Sequence, residues 1–127
     1  MKIIKFNSKI EQPEDQEIYL KDILEVDVDK CEFLSKDLIN RINKSNYQDR
    51  KPWNINKKCG TCKCGGDKKR IIDDQGNWRY LTLNEICRLQ GFPDNYVSMV
   101  SKTQGYKGLG NSFTVLVIKH IIKQLNK

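Results

Sequence analysis

The stretch that decides the fold is residues 79–94, with the sequence RYLTLNEICRLQGFPD. Thr82 and Glu85 have the spacing of a capping box, in which the threonine oxygen accepts from an early helical amide and the glutamate reaches back to the cap. Gly91 is placed to end the helix in a left-handed conformation, and Pro93 forbids its continuation. The sequence therefore predicts a helix of about two turns between Thr82 and Gly91.

A hairpin is predicted directly upstream of this helix. Ile71 and Ile72 form one strand-like piece, and Trp78 and Tyr80 form the next. The residues between them, 73–76, include a glycine and are typical of a turn. We therefore expect a two-stranded hairpin that leads straight into the helix.

Two short helices with one apolar side each are predicted earlier in the chain. The apolar residues of the first are Leu20, Ile23 and Leu24. The second begins with Ser35 as its N-cap. Its buried stripe is predicted to be Leu38, Ile39 and Ile42. Residues 2–6 favour a strand, and residues 43–66 favour irregular loops with one strand near residues 54–56.

A last helix is predicted to begin near Ser112. Its apolar positions are Val115, Leu116, Ile118, Ile121, Ile122 and Leu125, with Lys119, Lys123 and Gln124 on the other side. A chain of 127 residues has a modest core and little of its own to cover so wide a face. The face is therefore either core against the short helices or an interface for another polypeptide.

The net charge of +7 is concentrated in the middle of the chain. Residues 31–72 hold eleven Lys and Arg against four Asp and Glu, whereas residues 1–30 hold five against eight. The central cations are Lys57, Lys58, Lys63, Lys68, Lys69 and Arg70, set among glycines and one tryptophan. Such a stretch suits a loop region on a phosphate backbone, and a solvated lysine-rich surface is the alternative.

Five cysteines, an odd number, argue for free thiols in a reducing compartment. Cys59, Cys62 and Cys64 could supply three zinc thiolates with Cys31 or Cys87 as a fourth, but a second knuckle is missing. Ordinary loop thiols are the other interpretation, and we predict no metal site. The longest apolar run, residues 115–118, is far too short to span a membrane, so we expect a cytoplasmic protein.

Two blocks of this sequence resemble motifs IX and X of DNA cytosine-5 methyltransferases, enzymes known from restriction-modification systems. Residues 79–94 are similar to motif IX and Gly110-Asn111-Ser112 to motif X, and residues 101–107 agree with the spacer. Upstream, residues 19–24 and 33–35 resemble the segment after motif VIII. The chain departs from the family pattern at Gly108, where glutamine is common, and at Phe113-Thr114, where a small aliphatic pair is common.

The resemblance implies a division of labour. In the family a cysteine attacks carbon 6 of a flipped cytosine, a glutamate assists, and carbon 5 takes the methyl group of S-adenosylmethionine. None of the five cysteines follows a proline, and the Glu-Asn-Val motif is absent, so we expect no catalytic residue in this sequence. Residues 60–62 correspond to the threonine-containing recognition element, which implies that Thr61 contacts DNA. Asn111 and Ser112 would form one wall of the cofactor pocket.

The implied fold class is α+β: a small target recognition domain with short strands and a hairpin, then the motif IX helix and a C-terminal motif X helix. That last helix would pack on a separate Rossmann-like catalytic domain. We divide the chain into a linker and target recognition region, residues 1–78, and a segment with motifs IX and X, residues 79–127.

The leading hypothesis is the C-terminal part of a cytosine-5 methyltransferase. It would work as a small subunit beside a separate large subunit with motifs I to VIII, sharing S-adenosylmethionine with it and acting on double-stranded DNA. The break in such split enzymes falls where this chain begins. The alternatives are a stand-alone DNA-binding or regulatory module and an inactive remnant of a methyltransferase.

Overall fold

A computed structural model describes residues 10–62 and 69–126. Within them the α-helices are α1 (Lys36–Lys44), α2 (Leu83–Gln90), α3 (Lys102–Asn111) and α4 (Val115–Leu125). The strands are β1 (Arg70–Ile72) and β2 (Trp78–Tyr80), and short 3-10 helices cover Leu20–Ile23, Lys30–Glu32 and Gln48–Arg50. The predicted strand at residues 2–6 lies outside the described residues. No helix of the described part is long and apolar enough to cross a membrane.

The predicted hairpin is confirmed. β1 and β2 pair antiparallel, with Ile71 opposite Arg79. The Asp73 carboxylate holds the turn, because its Oδ1 accepts from the backbone N–H of Gln75 at 3.0 Å and of Asn77 at 2.8 Å. Gly76 adopts a φ of +83°, which favours glycine at that position. The turn therefore fixes the register that places Ile71 in the core.

The helix after the hairpin also follows the prediction. Thr82 Oγ1 accepts from the Glu85 N–H at 3.2 Å, and Glu85 Oε1 accepts from the Thr82 N–H at 2.8 Å. Gly91 ends α2 with a φ of 81° in the left-handed region. Both signals act within the helix itself, which is why the sequence sufficed to find its ends.

One cluster of buried side chains joins four parts of the chain. Its members are Leu20, Ile71, Leu81, Ile86, Cys87 and Leu109. They come from the first 3-10 helix, the hairpin and its link to α2, α2 itself and α3, so one core joins these elements. Burial of each large apolar side chain contributes roughly 1.5–3 kcal/mol.

The sequence does not predict helix α3, and it places the start of α4 too early. Asn111 is the last residue of α3, and α4 begins at Val115 rather than near Ser112. Three glycines lie within α3 and disfavour a helix. Packing compensates, since a Cβ at Gly105 would lie only 3.0 Å from the Leu83 side chain of α2. The glycine therefore permits close contact of the two helices.

Other predictions are confirmed in part. Ser35 caps α1, its Oγ accepting from the Leu38 N–H at 3.3 Å, but only Ile42 of the predicted stripe is buried. The first predicted helix is a 3-10 helix that ends at Ile23. No described strand covers residues 54–56, because the pairing there is a single parallel bridge between Trp53 and Ile71.

Candidate functional site

A cleft of about 490 Å³ lies where a loop of the basic region meets the turn between α3 and α4. One side consists of residues 59–62, and the opposite side consists of residues 112–114. Leu89 and Gln90, at the end of α2, complete the lining. The cleft thus brings Thr61, the predicted DNA contact, and Ser112, a predicted cofactor contact, to one place.

The loop side of the cleft is held by the indole ring of Trp53. A Cβ at Gly60 would lie 3.1 Å from the Trp53 ring, so the backbone passes close to the indole here. The Lys69 Nζ lies 5.4 Å from the centroid of the same ring, within the range of a cation–π interaction. Trp53 therefore links Lys69 to the loop that exposes Thr61.

Two thiols on this loop are half-buried beside the core. Burial raises the pKa of Cys59. Burial and the neighbouring Cys59 raise the pKa of Cys62 to about 11, although Lys69 opposes the shift. Among the described residues, no three His, Cys, Asp or Glu side chains group closely enough to hold a metal ion. Cys64 lies outside those residues, so the choice between zinc ligands and loop thiols is not tested.

On the side of the cleft formed by residues 112–114, Ser112 caps the end of α3. The Ser112 Oγ donates to the Leu109 carbonyl at 2.6 Å, and the Ser112 N–H donates to it at 3.2 Å. Asn111 is exposed. These bonds satisfy a free carbonyl at the helix end and fix the direction in which the chain leaves α3.

Gln90 connects this turn to α2. Its Nε2 donates to the Leu109 carbonyl at 3.0 Å, and its Oε1 accepts from Thr114 Oγ1 at 3.0 Å. The residue is 7% exposed. Sequence reasoning missed it, and the only signal was a glutamine near the end of an amphipathic helix, where the surrounding positions are apolar.

A buried ion pair outside the cleft joins the hairpin to α2. Arg79 Nη1 lies 2.7 Å from Glu85 Oε1, and Arg79 Nη2 lies 2.9 Å from Glu85 Oε2. Glu85 Oε2 also accepts from the Glu25 N–H at 3.1 Å. Burial alone lowers the pKa of Arg79, but the hydrogen bond and charge of Glu85 outweigh burial and raise it. The guanidinium therefore stays charged, and the pair joins β2, α2 and the segment before α1.

Comparison with known proteins identifies the family. The family model described as C-5 cytosine-specific DNA methylase matches residues 3–127. The chain belongs to this family. The resemblance drawn from residues 79–94 and 110–112 is thereby confirmed at the level of the family.

Individual methylases of the family match over shorter segments. The type II methyltransferase M.SsoII of Shigella sonnei is 45% identical over 56 residues, which are 43% of this chain and 15% of that protein. The type II methyltransferase M1.ScrFI of Lactococcus lactis subsp. cremoris is 43% identical over 61 residues, 46% of this chain and 16% of that protein. The matched segment is thus a small part of each relative's length.

Solved methyltransferase structures share the fold. A methyltransferase of Entamoeba histolytica superposes with a TM-score of 0.74 at 21% identity, covering 96% of this chain and 44% of that chain. The Dnmt2 methyltransferase of S. pombe superposes with a TM-score of 0.69 at 22% identity, covering 88% of this chain and 42% of that one. The small α+β arrangement of hairpin and helices is therefore one that methyltransferases contain.

The structure separates the basic residues that we predicted to contact DNA. Lys69 lies over the Trp53 ring, outside the lining of the cleft, and Lys57 and Lys58 are exposed on the loop that leads to residues 59–62. Lys58 is paired with Asp15. Arg70 is half-buried in β1, with its guanidinium 5.6 Å from the centre of the Tyr80 ring. Lys63 and Lys68 lie outside the described residues.

The last helix, α4, is poorly covered by the other described residues. No residue of α4 is buried. Leu116 is 60% exposed and Ile122 is 52% exposed, while Ile118 and Ile121 are half-buried. A groove of about 890 Å³ separates α4 from residues 10–16, and His120 Nε2 lies 2.6 Å from the Glu11 carbonyl oxygen. Within the described residues, the apolar face of α4 is therefore only partly covered, and it contributes no fully buried side chain to the core.

Proposed function

We propose that this chain supplies target recognition and one wall of the cofactor pocket to a DNA cytosine-5 methyltransferase, and that it is inactive alone. The observation that carries the proposal is the single cleft lined by both Thr61 and Ser112. The cysteine nucleophile and the assisting glutamate would come from a separate large subunit with motifs I to VIII. None of the cysteines of this chain follows a proline, as the family's nucleophile does.

S-adenosylmethionine is the cofactor expected for this family, and it supplies the methyl group when bound. The residues at the turn fit one wall of such a pocket. Asn111 is exposed, Ser112 is half-buried, and Phe113 presents an exposed ring beside them. Polar and aromatic groups side by side suit a ligand with both polar and apolar parts. In this proposal Asn111 and Ser112 bind the cofactor only in the assembled enzyme.

Double-stranded DNA would lie along the basic loop. Thr61 is exposed beside the Trp53 ring, and Lys69 lies over the same ring. Lysine contacts to phosphates position the duplex without reading its sequence, and loop side chains would read base edges. We assign phosphate contacts to Lys57, Lys58, Lys63, Lys68, Lys69 and Arg70, and we assign Thr61 to the recognition element that contacts the DNA beside them.

The partner surface would be the exposed side of α4. Phe113, Leu116, Val117, Ile122 and Leu125 are large hydrophobic residues that are exposed in this chain. Several exposed large apolar side chains on and next to one helix are typical of a protein interface. We assign it to the large catalytic subunit, whose docking would complete the cofactor pocket next to Asn111.

A methyl-transfer assay tests this function. Purified chain alone is expected to transfer no tritium from labelled S-adenosylmethionine to duplex DNA, whereas a mixture with the large subunit transfers it to carbon 5 of cytosine. A second mixture, in which the large subunit carries serine for its nucleophilic cysteine, controls for contaminating activity. Transfer by the chain alone would overturn the proposal.

The second candidate function is a DNA-binding module without a role in methylation. The basic excess of residues 31–72 favours it. The two functions differ at α4, because a stand-alone module gives no reason for an uncovered apolar helix next to the motif X turn. Unchanged DNA binding with no association to any polypeptide carrying motifs I to VIII would favour this second function.

A further inference from the structure

The carbonyl oxygen of Leu109 is the meeting point of three donors. It accepts from Gln90 Nε2 at 3.0 Å, from Ser112 Oγ at 2.6 Å and from the Ser112 N–H at 3.2 Å. Two of these donors belong to the turn itself, whereas the third belongs to α2. The carbonyl is buried with Leu109, so water competes little for it.

Gln90 holds the other end of the same turn through Thr114. Thr114 precedes α4, where a threonine side chain would ordinarily cap the helix, but it makes no capping bond. Its Oγ1 donates instead to Gln90 Oε1 at 3.0 Å. One buried amide therefore spans from Leu109 to Thr114, with residues 110–113 between these two anchors.

We propose that Gln90 is a positioning residue for this turn, defined as residues 110–113 and containing Asn111 and Ser112. The inference rests on the proposed function, because it gives Gln90 the task of holding the two cofactor-facing residues at the cleft. Both ends of the Gln90 side-chain amide are occupied by Leu109 and Thr114. Gln90 acts through Leu109 and Thr114, and so belongs to the positioning and not to the catalytic residues.

Glutamine suits this task because the two anchors need opposite hydrogen-bond partners. The Leu109 carbonyl requires a donor, and the Thr114 hydroxyl donates to an acceptor. A glutamate has the same shape but offers only acceptors when ionised, so it would face the Leu109 carbonyl without a proton. The adjacent backbone is also fixed, since a Cβ at Gly91 would lie 3.3 Å from Val115 Cβ. The turn therefore has little freedom to adjust when a bond is removed.

The test compares two pairs of variants in the assembled enzyme. Gln90→Leu removes the bonds to both Leu109 and Thr114, and Thr114→Val removes only the bond between Thr114 and Gln90. Thr114→Ser keeps the hydroxyl that donates to Gln90. Gln104→Leu and Thr103→Val, at exposed positions of α3, serve as matched controls. The KM for S-adenosylmethionine is expected to rise about tenfold in Gln90→Leu and Thr114→Val, as is typical when a buried hydrogen bond is removed. The kcat and the DNA Kd stay within about twofold of wild type, and Thr114→Ser recovers the KM.

Gln90→Glu adds a readout that a purely structural residue would not give. As pH falls, the buried carboxyl takes up a proton and can donate to the Leu109 carbonyl. The ratio of its cofactor KM to that of wild type at the same pH is therefore expected to fall towards one. A ratio that stays constant across the accessible pH range overturns the inference.

Amide resonances of the chain without its partner separate this inference from the proposed function. Thr114→Val should shift the Asn111 and Ser112 resonances, while Thr103→Val leaves them in place. If these resonances do not shift in Thr114→Val but Asn111→Ala raises the cofactor KM, only the positioning role of Gln90 is overturned and the proposed function stands. Shifted resonances with a KM indifferent to Asn111→Ala overturn the proposed cofactor wall and the positioning role with it. If Gln90→Leu does not fold, Thr114→Val and Thr114→Ser decide.

Discussion

Arg79 and Glu85 form a bidentate ion pair in which the two side chains are only 3% and 0% exposed. The pair joins the second strand of the hairpin to the helix that follows it, and Glu85 also closes the capping box with Thr82. One carboxylate therefore serves the hairpin, the helix start and, through the Glu25 N–H, the segment before α1. This relationship lies outside the cleft, yet the elements that line the cleft depend on it.

Glu85→Gln should destabilise the fold strongly, because it removes the bidentate counter-charge of the buried Arg79 guanidinium and leaves only the Asp73 carboxylate, 4.0 Å from Arg79 Nε. We expect a loss of about 3–5 kcal/mol in the free energy of unfolding, measured by urea titration. Asp94→Asn is the matched control, since it breaks the exposed pair between Arg88 and Asp94 and should have a much smaller effect. Equal losses of unfolding free energy in the two variants would show that the burial of the Arg79–Glu85 pair does not add to its effect.

How far the sequence predicts this structure depends on where each signal lies. The ends of α2 were predictable because Thr82, Glu85 and Gly91 act within a few residues of one another. α3 was not, because its three glycines disfavour a helix and its stability comes from contacts such as that of Gly105 with Leu83. Local chemistry could be derived from the sequence, whereas close packing could not.

Some residues of the candidate site could likewise be predicted from the sequence, and others could not. Asn111, Ser112 and Thr61 were found through resemblance to a family, and two of them line one cleft. Gln90 and Trp53 have no pattern of their own, because their roles arise from contacts with Leu109, Thr114 and Gly60, distant in the chain. The sequence left open whether the apolar face of α4 is core or an interface, and the exposure of Leu116 and Ile122 supports the interface that we propose.

The thiols at the cleft should react slowly near neutral pH. The pKa of Cys62 is raised from the ordinary 9.0 to about 11, chiefly by burial, so its thiolate is scarce at pH 8. Its alkylation rate, followed by mass spectrometry of the native chain, should keep rising until about pH 11. A plateau near pH 9, the ordinary value, would contradict the burial of this thiol.

The same shift has a consequence for stability, with a definite sign. A thiol whose pKa is raised by folding has no effect while both states are protonated, below about pH 9. As pH rises towards 11, the unfolded chain ionises first, so the free energy of unfolding should fall across that window. Cys62→Ala should flatten this alkaline decline in urea titrations, and an unchanged decline would assign it to other groups.

Charge reversal of the basic loop should weaken DNA binding at every sequence alike. Lys57→Glu, Lys58→Glu and Lys69→Glu together should flatten the plot of log affinity against log salt by roughly 0.9 for each DNA phosphate that is no longer neutralised. The control reverses three exposed lysines elsewhere, Lys36, Lys44 and Lys107, with the same change in net charge. Equal slopes for both triple variants would mean that net charge alone determines binding and that the loop is a solvated surface.

The final prediction concerns docking through α4. Ile122→Asp should abolish association with the large subunit and leave the chain folded, because this side chain is 52% exposed and contributes little to the core. Ile121→Asp, one residue earlier and half-buried against the rest of the chain, should instead lower the melting temperature. Lys123→Gln, next to Ile122 on the same helix, controls for a change of charge without loss of apolar surface.

A circular-dichroism melt of each variant, followed by a pull-down with the large subunit, separates the outcomes. Retained folding with abolished association in Ile122→Asp supports docking through the exposed face. Retained folding with retained association removes this face from the interface, and the apolar surface of α4 then needs another partner. Unfolding of Ile122→Asp would mean that the residue packs within its own chain despite its exposure, because charging a truly free side chain costs the fold little.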